Sequence, residues 1–175
     1  MVTSLSDFFR TTLSKGHDYI TVKEERTHIE SYLEIQQFRY QDILDYEIQM
    51  DEEIYGYIIP KLTLQPLVEN ALYHGIKNKR GKGKILITGK KQGDKIIFQV
   101  IDNGKGMTEE ELNSLRKKMA GTDTGDEAKG FGVSNVNQRI KYYYGEEYGV
   151  FFESKENEGT NATIIIAAKN IQLPS

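Results

Sequence analysis

Apolar residues along this chain recur first at helical spacing and later in alternation, and the switch between the two patterns outlines the fold. Leu5, Phe8, Phe9 and Thr12 fall at helical spacing almost from the first residue. An amphipathic segment that begins so near the first residue is expected to be the end of a longer helix, in a chain cut from something longer. Thr21-Val22-Lys23-Glu24 is a capping box, in which each of the two outer side chains satisfies the other's backbone N–H. It predicts a helix to about residue 40, with Ile29, Tyr32, Leu33 and Gln36 on one side. Residues 45–50 alternate as a strand does. Pro60 is expected to open the next helix, with Leu64, Leu67, Val68 and Ala71 as its buried stripe and Gly75 as its C-terminal cap.

Two strands follow over 84–91 and 95–102, joined through the hairpin signal Gly93-Asp94. Thr108-Glu109-Glu110-Glu111 forms a second capping box, with Met107 and Leu112 as its hydrophobic staple, and the helix it starts ends near Ala120. The polar stretch Gly121-Thr122-Asp123-Thr124-Gly125-Asp126 has no periodicity. A helix from Gly132 turns Val133, Val136 and Ile140 inward and stops at Gly145, and strands near 149–154 and 160–168 close the chain. The expected class is α+β: a two-layer α/β sandwich with helices on one face of a mixed sheet, preceded by N-terminal helices.

Composition narrows this little. With 175 residues, 38% hydrophobic and 28% charged, the chain is long enough for a real core and too apolar to be disordered. It has no cysteine, which excludes disulfides and thiolate metal sites and suits a reducing cytoplasm. No apolar run reaches membrane-spanning length and no signal-like start is present, so a soluble piece without membrane contact is expected. A net charge of −3 gives no reason to expect nucleic acid as a partner.

Candidate chemistry lies in three separated stretches. In Leu67-Val68-Glu69-Asn70-Ala71-Leu72-Tyr73-His74-Gly75, ideal helical spacing puts Asn70, His74 and Lys77 on one flank beside the apolar stripe. An amide oxygen is a hard, neutral ligand suited to Mg²⁺ among waters and phosphate oxygens; Asn70 and His74 could equally be polar residues bordering a core helix. In the second stretch, alternation puts Ile96, Phe98, Val100 and Asp102 on one face, followed by Asn103-Gly104-Lys105-Gly106. A carboxylate at the edge of an apolar layer needs a donor, and an amino group on a planar base is one, with Gly104 and Gly106 allowing close approach. Asn-Gly also signals a hairpin, but the capped helix that follows argues against a returning strand. In the third stretch, Gly130-Phe131-Gly132 precedes a helix whose first N–H groups suit a phosphate chain, with Lys129 adding charge. A flexible loop before a helix would look the same. Neither a Walker P-loop nor a Rossmann fingerprint is present.

The order of these stretches resembles the ATP-binding domain shared by sensor histidine kinases, gyrase-type topoisomerases and related ATPases, the Bergerat fold. Leu64-Gln65-Pro66-Leu67-Val68-Glu69-Asn70-Ala71 with His74-Gly75 is similar to the N box of LytS/YesM-like sensor histidine kinases. The resemblance implies that Asn70 binds Mg²⁺, with His74 beside it in the catalytic site and Lys77 standing in for a basic residue that Tyr73 replaces. It implies that Asp102 contacts the adenine amino group in the first glycine box, and that Gly130 and Gly132 form the second. Residues just before that box would be the ATP lid, and Thr160, in Glu158-Gly159-Thr160, would support adenine through water. Residues 1–42 resemble the end of a dimerisation helix and a connecting helix, and 43–175 the ATP-binding module.

What the resemblance implies is therefore a catalytic domain that binds ATP and Mg²⁺ and donates the γ-phosphoryl group to a histidine on an upstream dimerisation helix, with a response regulator downstream. The parent would be a homodimer and membrane-anchored, with this part cytoplasmic. No Asn-Pro-His-Phe acceptor context occurs, and His17, His28 and His74 are not expected to accept phosphate. Gyrase-type ATPases place a general-base glutamate one turn before the asparagine, where this chain has Pro66. That disfavours a serine kinase or hydrolysing ATPase. A nucleotide-binding module that transfers nothing remains the other alternative.

Overall fold

The computed structural model describes residues 18–122 and 131–171. The amphipathic segment expected over residues 5–12, His17, Lys129, Gly130 and most of the expected lid lie outside the described residues.

In chain order the elements are β1 (Tyr19–Thr21), α1 (Val22–Arg39), β2 (Leu44–Met50), a single 3₁₀ turn (Glu52–Ile54), β3 (Ile58–Pro60), α2 (Gln65–Asn70) continuing as a π-helical turn (Ala71–Ile76), β4 (Gly83–Gln92), β5 (Lys95–Asp102), α3 (Glu109–Met119), α4 (Phe131–Tyr144), β6 (Gly149–Lys155) and β7 (Gly159–Ala167). Both expected capping boxes form. Glu24 Oε2 accepts from the Thr21 N–H at 2.7 Å while Thr21 Oγ1 accepts from the Glu24 N–H at 3.2 Å. Thr108 and Glu111 repeat the exchange at 2.9 and 3.2 Å.

The main sheet runs β2-β4-β5-β7-β6, with β2 and β4 parallel and the other pairs antiparallel. Along β5 the buried positions are Ile96, Phe98, Val100 and Asp102, as alternation required. They join Ile85, Ile87, Ile164 and Ile166 in the core, which the helices close with Leu67, Val68, Leu72, Val133, Val136 and Ile140. The molecule is thus a mixed five-stranded sheet with helices on one face.

Two expectations change. Pro60 starts no helix: it ends β3, which pairs antiparallel with β1 in a separate two-stranded sheet with Tyr19 opposite Pro60. Proline is tolerated at such a strand end because no further ladder donor is needed. The helix begins five residues on, at Gln65, with Pro66 in its first turn. Nor does Gly75 end that helix. It lies inside the π-helical turn, which runs to Ile76 and is capped by Lys77.

Candidate functional site

A cleft of about 520 Å³ opens at the ends of β5 and β7, between the α2 helix with its π-helical turn and α3. Asn70, His74, Asp102, Gly106 and Thr160 all line it, so the first two candidate stretches and the start of β7 converge on one cavity.

At its floor sits Asp102, 5% exposed at the last position of β5. Its Oδ1 accepts from the Gly104 N–H at 2.9 Å, and the Thr160 backbone, opposite it in the ladder, bonds to the same carboxylate. Burial outweighs these bonds and the nearby Lys79 charge, so the carboxyl is pushed up to about 6. A carboxylate held this way favours a ligand that brings a hydrogen-bond donor.

Two glycines make this placement possible. A Cβ on Gly75 would lie 2.6 Å from Asp102 Oδ1, and one on Gly104 would overlap the Gly75 backbone. The loop after β5 therefore lies directly on the π-helical turn, and Lys105 N–H donates to the Gly75 carbonyl at 3.1 Å. The space that Gly104 leaves is filled by Gly75, whereas Gly106, at φ 69°, lines the cleft itself.

At the other end, half-buried Asn70 and exposed His74 stand one turn apart. Lys77 is not with them. Its Nζ sits 4.9 Å from the Tyr40 ring centroid and 4.7 Å from that of Tyr73, and donates to Tyr40 Oη at 3.3 Å. The reason is helical pitch. A π-helical turn takes up about one extra residue, so the flank that begins at Asn70 and His74 continues at Asn78 and not Lys77. Asn78 lines the cleft.

Gly132 lies in the first turn of α4 and packs on α2, where a Cβ would come 3.2 Å from Pro66 Cβ. It does not line the cleft formed by the described residues. Lys105 and Lys118, unforeseen in the sequence, supply the cleft's positive side chains beside Glu110 and Glu111. Ser154 was also unforeseen. Its Oγ donates to the Gly159 carbonyl at 3.0 Å, accepts from the Met107 N–H at 2.9 Å and pairs with Thr160 Oγ1 at 2.8 Å, tying three cleft walls together. Only the β6–β7 register, which sets Ser154 opposite Thr160, reveals this.

The donor set bears on metal binding. No group of three or more His, Cys, Asp or Glu side chains suited to a metal occurs among the described residues. A neutral amide in the cleft lining, that of Asn70, instead fits a hard cation that keeps water and ligand oxygens in its shell.

Comparison with known proteins agrees with this geometry. Residues 60–170 match the family model of the histidine kinase-, DNA gyrase B- and HSP90-like ATPases, and residues 1–44 match the histidine kinase model. The sensor histidine kinase YesM of Bacillus subtilis is 34% identical over 170 residues, covering 97% of this chain and 28% of its own length. The sensor protein LytS of Staphylococcus saprophyticus is 30% identical over 98% of this chain and 29% of its own. The sensor histidine kinase BtsS of Escherichia coli is 28% identical over 94% and 27%. The chain thus spans between 27 and 29% of these relatives' length. Among solved structures, the nucleotide-free catalytic domain of histidine kinase ThkA superposes with a TM-score of 0.64 at 19% identity, over 87% of this chain and 97% of that one. The histidine kinase AdeS of Acinetobacter baumannii gives 0.60 at 16%, over 97% and 77%.

Proposed function

Because the chain belongs to the histidine kinase-, DNA gyrase B- and HSP90-like ATPases, as the ATP-binding domain of a LytS/YesM-like sensor histidine kinase, we propose that its cleft binds Mg-ATP and presents the γ-phosphoryl group to a histidine on an upstream dimerisation helix. The observation that carries this reading is the shared cleft, with a buried carboxylate at one end and Asn70 and His74 at the other. Asp102 accepts from the adenine amino group, and Gly106 and Thr160 border the base. Asn70 would hold Mg²⁺, which would supply neutralisation of the phosphate charge. Lys105 and Lys118 lie along the phosphate path, and His74 donates to a phosphate oxygen. Lys129, Gly130 and Gly132 belong to the lid and to the helix start beyond it, where free backbone N–H groups favour a polyphosphate.

Transfer forms a bond from the acceptor imidazole nitrogen to phosphorus and breaks the bond from phosphorus to the bridging oxygen, which leaves with ADP. The chain's part is positioning and electrostatic stabilisation. The phosphorylated histidine then serves a response regulator, and the parent acts as a homodimer anchored in a membrane. Among the described residues no helix is long and apolar enough to cross one. Residues 1–42 act as dimerisation and connecting helices and 43–175 as the catalytic module.

Calorimetric titration with Mg-ATP tests the cleft. Asp102→Ala should abolish measurable binding, and Asn70→Ala should remove the Mg²⁺-dependent part alone. Phosphoryl transfer to a separately made upstream helix then separates a kinase from a module that only binds, and an Mg-ATP-binding chain that labels no such helix would favour the latter.

A further inference from the structure

The segment that leads into α2 is held in an unfavourable shape from two sides. Leu62 has φ 58°, a left-handed conformation that a branched side chain avoids at a cost of order 1–2 kcal/mol. From one side, Glu25 of α1, wholly buried, accepts from the Leu62 N–H at 3.2 Å and the Leu64 N–H at 2.7 Å. From the other, Arg139 of α4 donates Nη1 to the Lys61 carbonyl at 2.8 Å and Nη2 to the Leu62 carbonyl at 3.1 Å. The two side chains thus grip the donors and acceptors of one strained turn from opposite sides. Further along α1, buried His28 faces Gln65, and Tyr32 faces Tyr73 and Glu69. The polar side of α1 therefore follows α2 from its first residue to the π-helical turn beside Asn70.

We propose that Glu25 and Arg139 are positioning residues for the triphosphate end of the cleft, clamping residues 61–64 so that the stance of α1 sets where α2 presents Asn70 and where α4 begins. Two observations exceed what a stability role needs. A buried carboxylate is costly to keep, and here it is spent on a turn that is itself strained and joined directly to the site helix. The same turn also bonds to the helix whose start faces the phosphate path in the proposed function, on which this inference rests. Asp102, in contrast, belongs to the sheet and takes no part in the clamp. A movement of α1 accordingly acts first on the Asn70 end of the cleft and reaches the adenine end only through the Gly75 contact with the loop after β5.

The test compares Mg-ATP with adenosine, which reaches the Asp102 end alone. Titrations use the wild-type chain, Glu25→Gln, and Arg139→Met, which approaches the turn from the milder, half-buried side and decides the matter if Glu25→Gln does not fold. Each variant should weaken Mg-ATP binding roughly ten-fold while adenosine affinity stays within about two-fold, the scale of a modest site-to-site coupling. Exchange of the Leu62 and Leu64 amide hydrogens should quicken in Glu25→Gln. Unchanged Mg-ATP affinity in both variants, or an equal loss for Mg-ATP and adenosine, overturns the clamp. Failure of the wild-type chain to bind Mg-ATP overturns the reading of the cleft and the clamp with it.

Discussion

Replacing Gly75 by alanine sets two physical effects against each other, and their sum is calculable. Alanine in a helix interior is favoured over glycine by about 1 kcal/mol, so helix propensity alone predicts a more stable protein. The added Cβ, however, would stand 2.6 Å from Asp102 Oδ1, 2.9 Å from its Cγ and 3.3 Å from Oδ2. Non-bonded contacts of carbon ordinarily fall near 3.5–4.0 Å, so the carboxylate or the helix must retreat by about 1 Å. Asp102 has little freedom to do so, since the Gly104 N–H and the Thr160 backbone hold it. Overpacking of this kind costs about 1–3 kcal/mol, which leaves a net loss of about 0–2 kcal/mol once the propensity gain of about 1 kcal/mol is subtracted. For a domain of this size the melting temperature should not rise and should fall by up to about 8 °C. Mg-ATP affinity should fall by at least about ten-fold, because a 1 Å displacement moves the proposed adenine acceptor out of hydrogen-bond range. Scanning calorimetry and isothermal titration read the two effects on the same sample. A melting temperature raised by a few degrees with nucleotide affinity intact would refute the reasoning, leaving Gly75 as merely a weak helix former.

Asp102 must be ionised to accept a donor from the base, and burial has pushed it up to about 6; nucleotide affinity should be flat above that pH and drop about ten-fold by one unit below it. Asp102→Asn should flatten the profile, and a wild-type chain that binds equally at pH 5 and 8 would sink the assignment. Glu25, ordinarily at 4.5, is raised by burial to about 7. Its unfolded form releases the proton first as pH rises, so the stability it lends is complete below 4.5 and is lost as pH climbs through 7, by up to about 3 kcal/mol. Chemical denaturation from pH 4 to 8 should show a decline that Glu25→Gln reduces, most clearly between pH 6 and 7, where Asp102, raised to about 6, has already given up most of its own share. Incubated with labelled ATP, the chain should not label itself on histidine, since His28 is buried and His74 belongs to the cleft; rapid acid-labile labelling would contradict this.

What the sequence disclosed was what short-range rules govern. Thr21 with Glu24, and Thr108 with Glu111, marked two helix starts because a capping box is closed within four residues. Strict alternation placed Asp102 on the buried face of β5 because the period of a strand is fixed. What escaped depends on partners distant in sequence. Pro60 ends a strand whose mate, β1, lies some forty residues earlier, and nothing local distinguishes that from a helix start. Lys77 was expected on the site flank because ideal spacing cannot anticipate a π-helical turn, and that turn hands its place to Asn78. Gly75 looked like a cap from its position after an apolar stripe, yet its lack of a side chain serves the carboxylate of a strand that follows it in the chain. Ser154 carries no motif, and only the register of β6 against β7 gives it a role.

Pro66 bears on which chemistry the cleft supports. A hydrolysing member of this superfamily would need a base one turn before Asn70 to take a proton from water, and a proline ring can take none. The position is moreover occupied for another purpose: Pro66 lies in the first turn of α2 and meets Gly132 at the start of α4, where even one added carbon would come 3.2 Å from its ring. Restoring a carboxylate there would therefore introduce charge at a helix–helix contact without giving it a clear line to the cleft. Glu69, the neighbouring acid, is exposed and accepts from Gln65 Nε2 at 3.0 Å, on the side of α2 that faces α1. With proline in place of a base one turn before Asn70, the proposed phosphoryl group waits for a nucleophile that brings its own lone pair, and an imidazole nitrogen does. Pro66→Glu should consequently lower stability without raising the rate of phosphate release from ATP. An increase in that rate would show that the helix contact yields and that only the missing carboxylate separates this cleft from an ATPase.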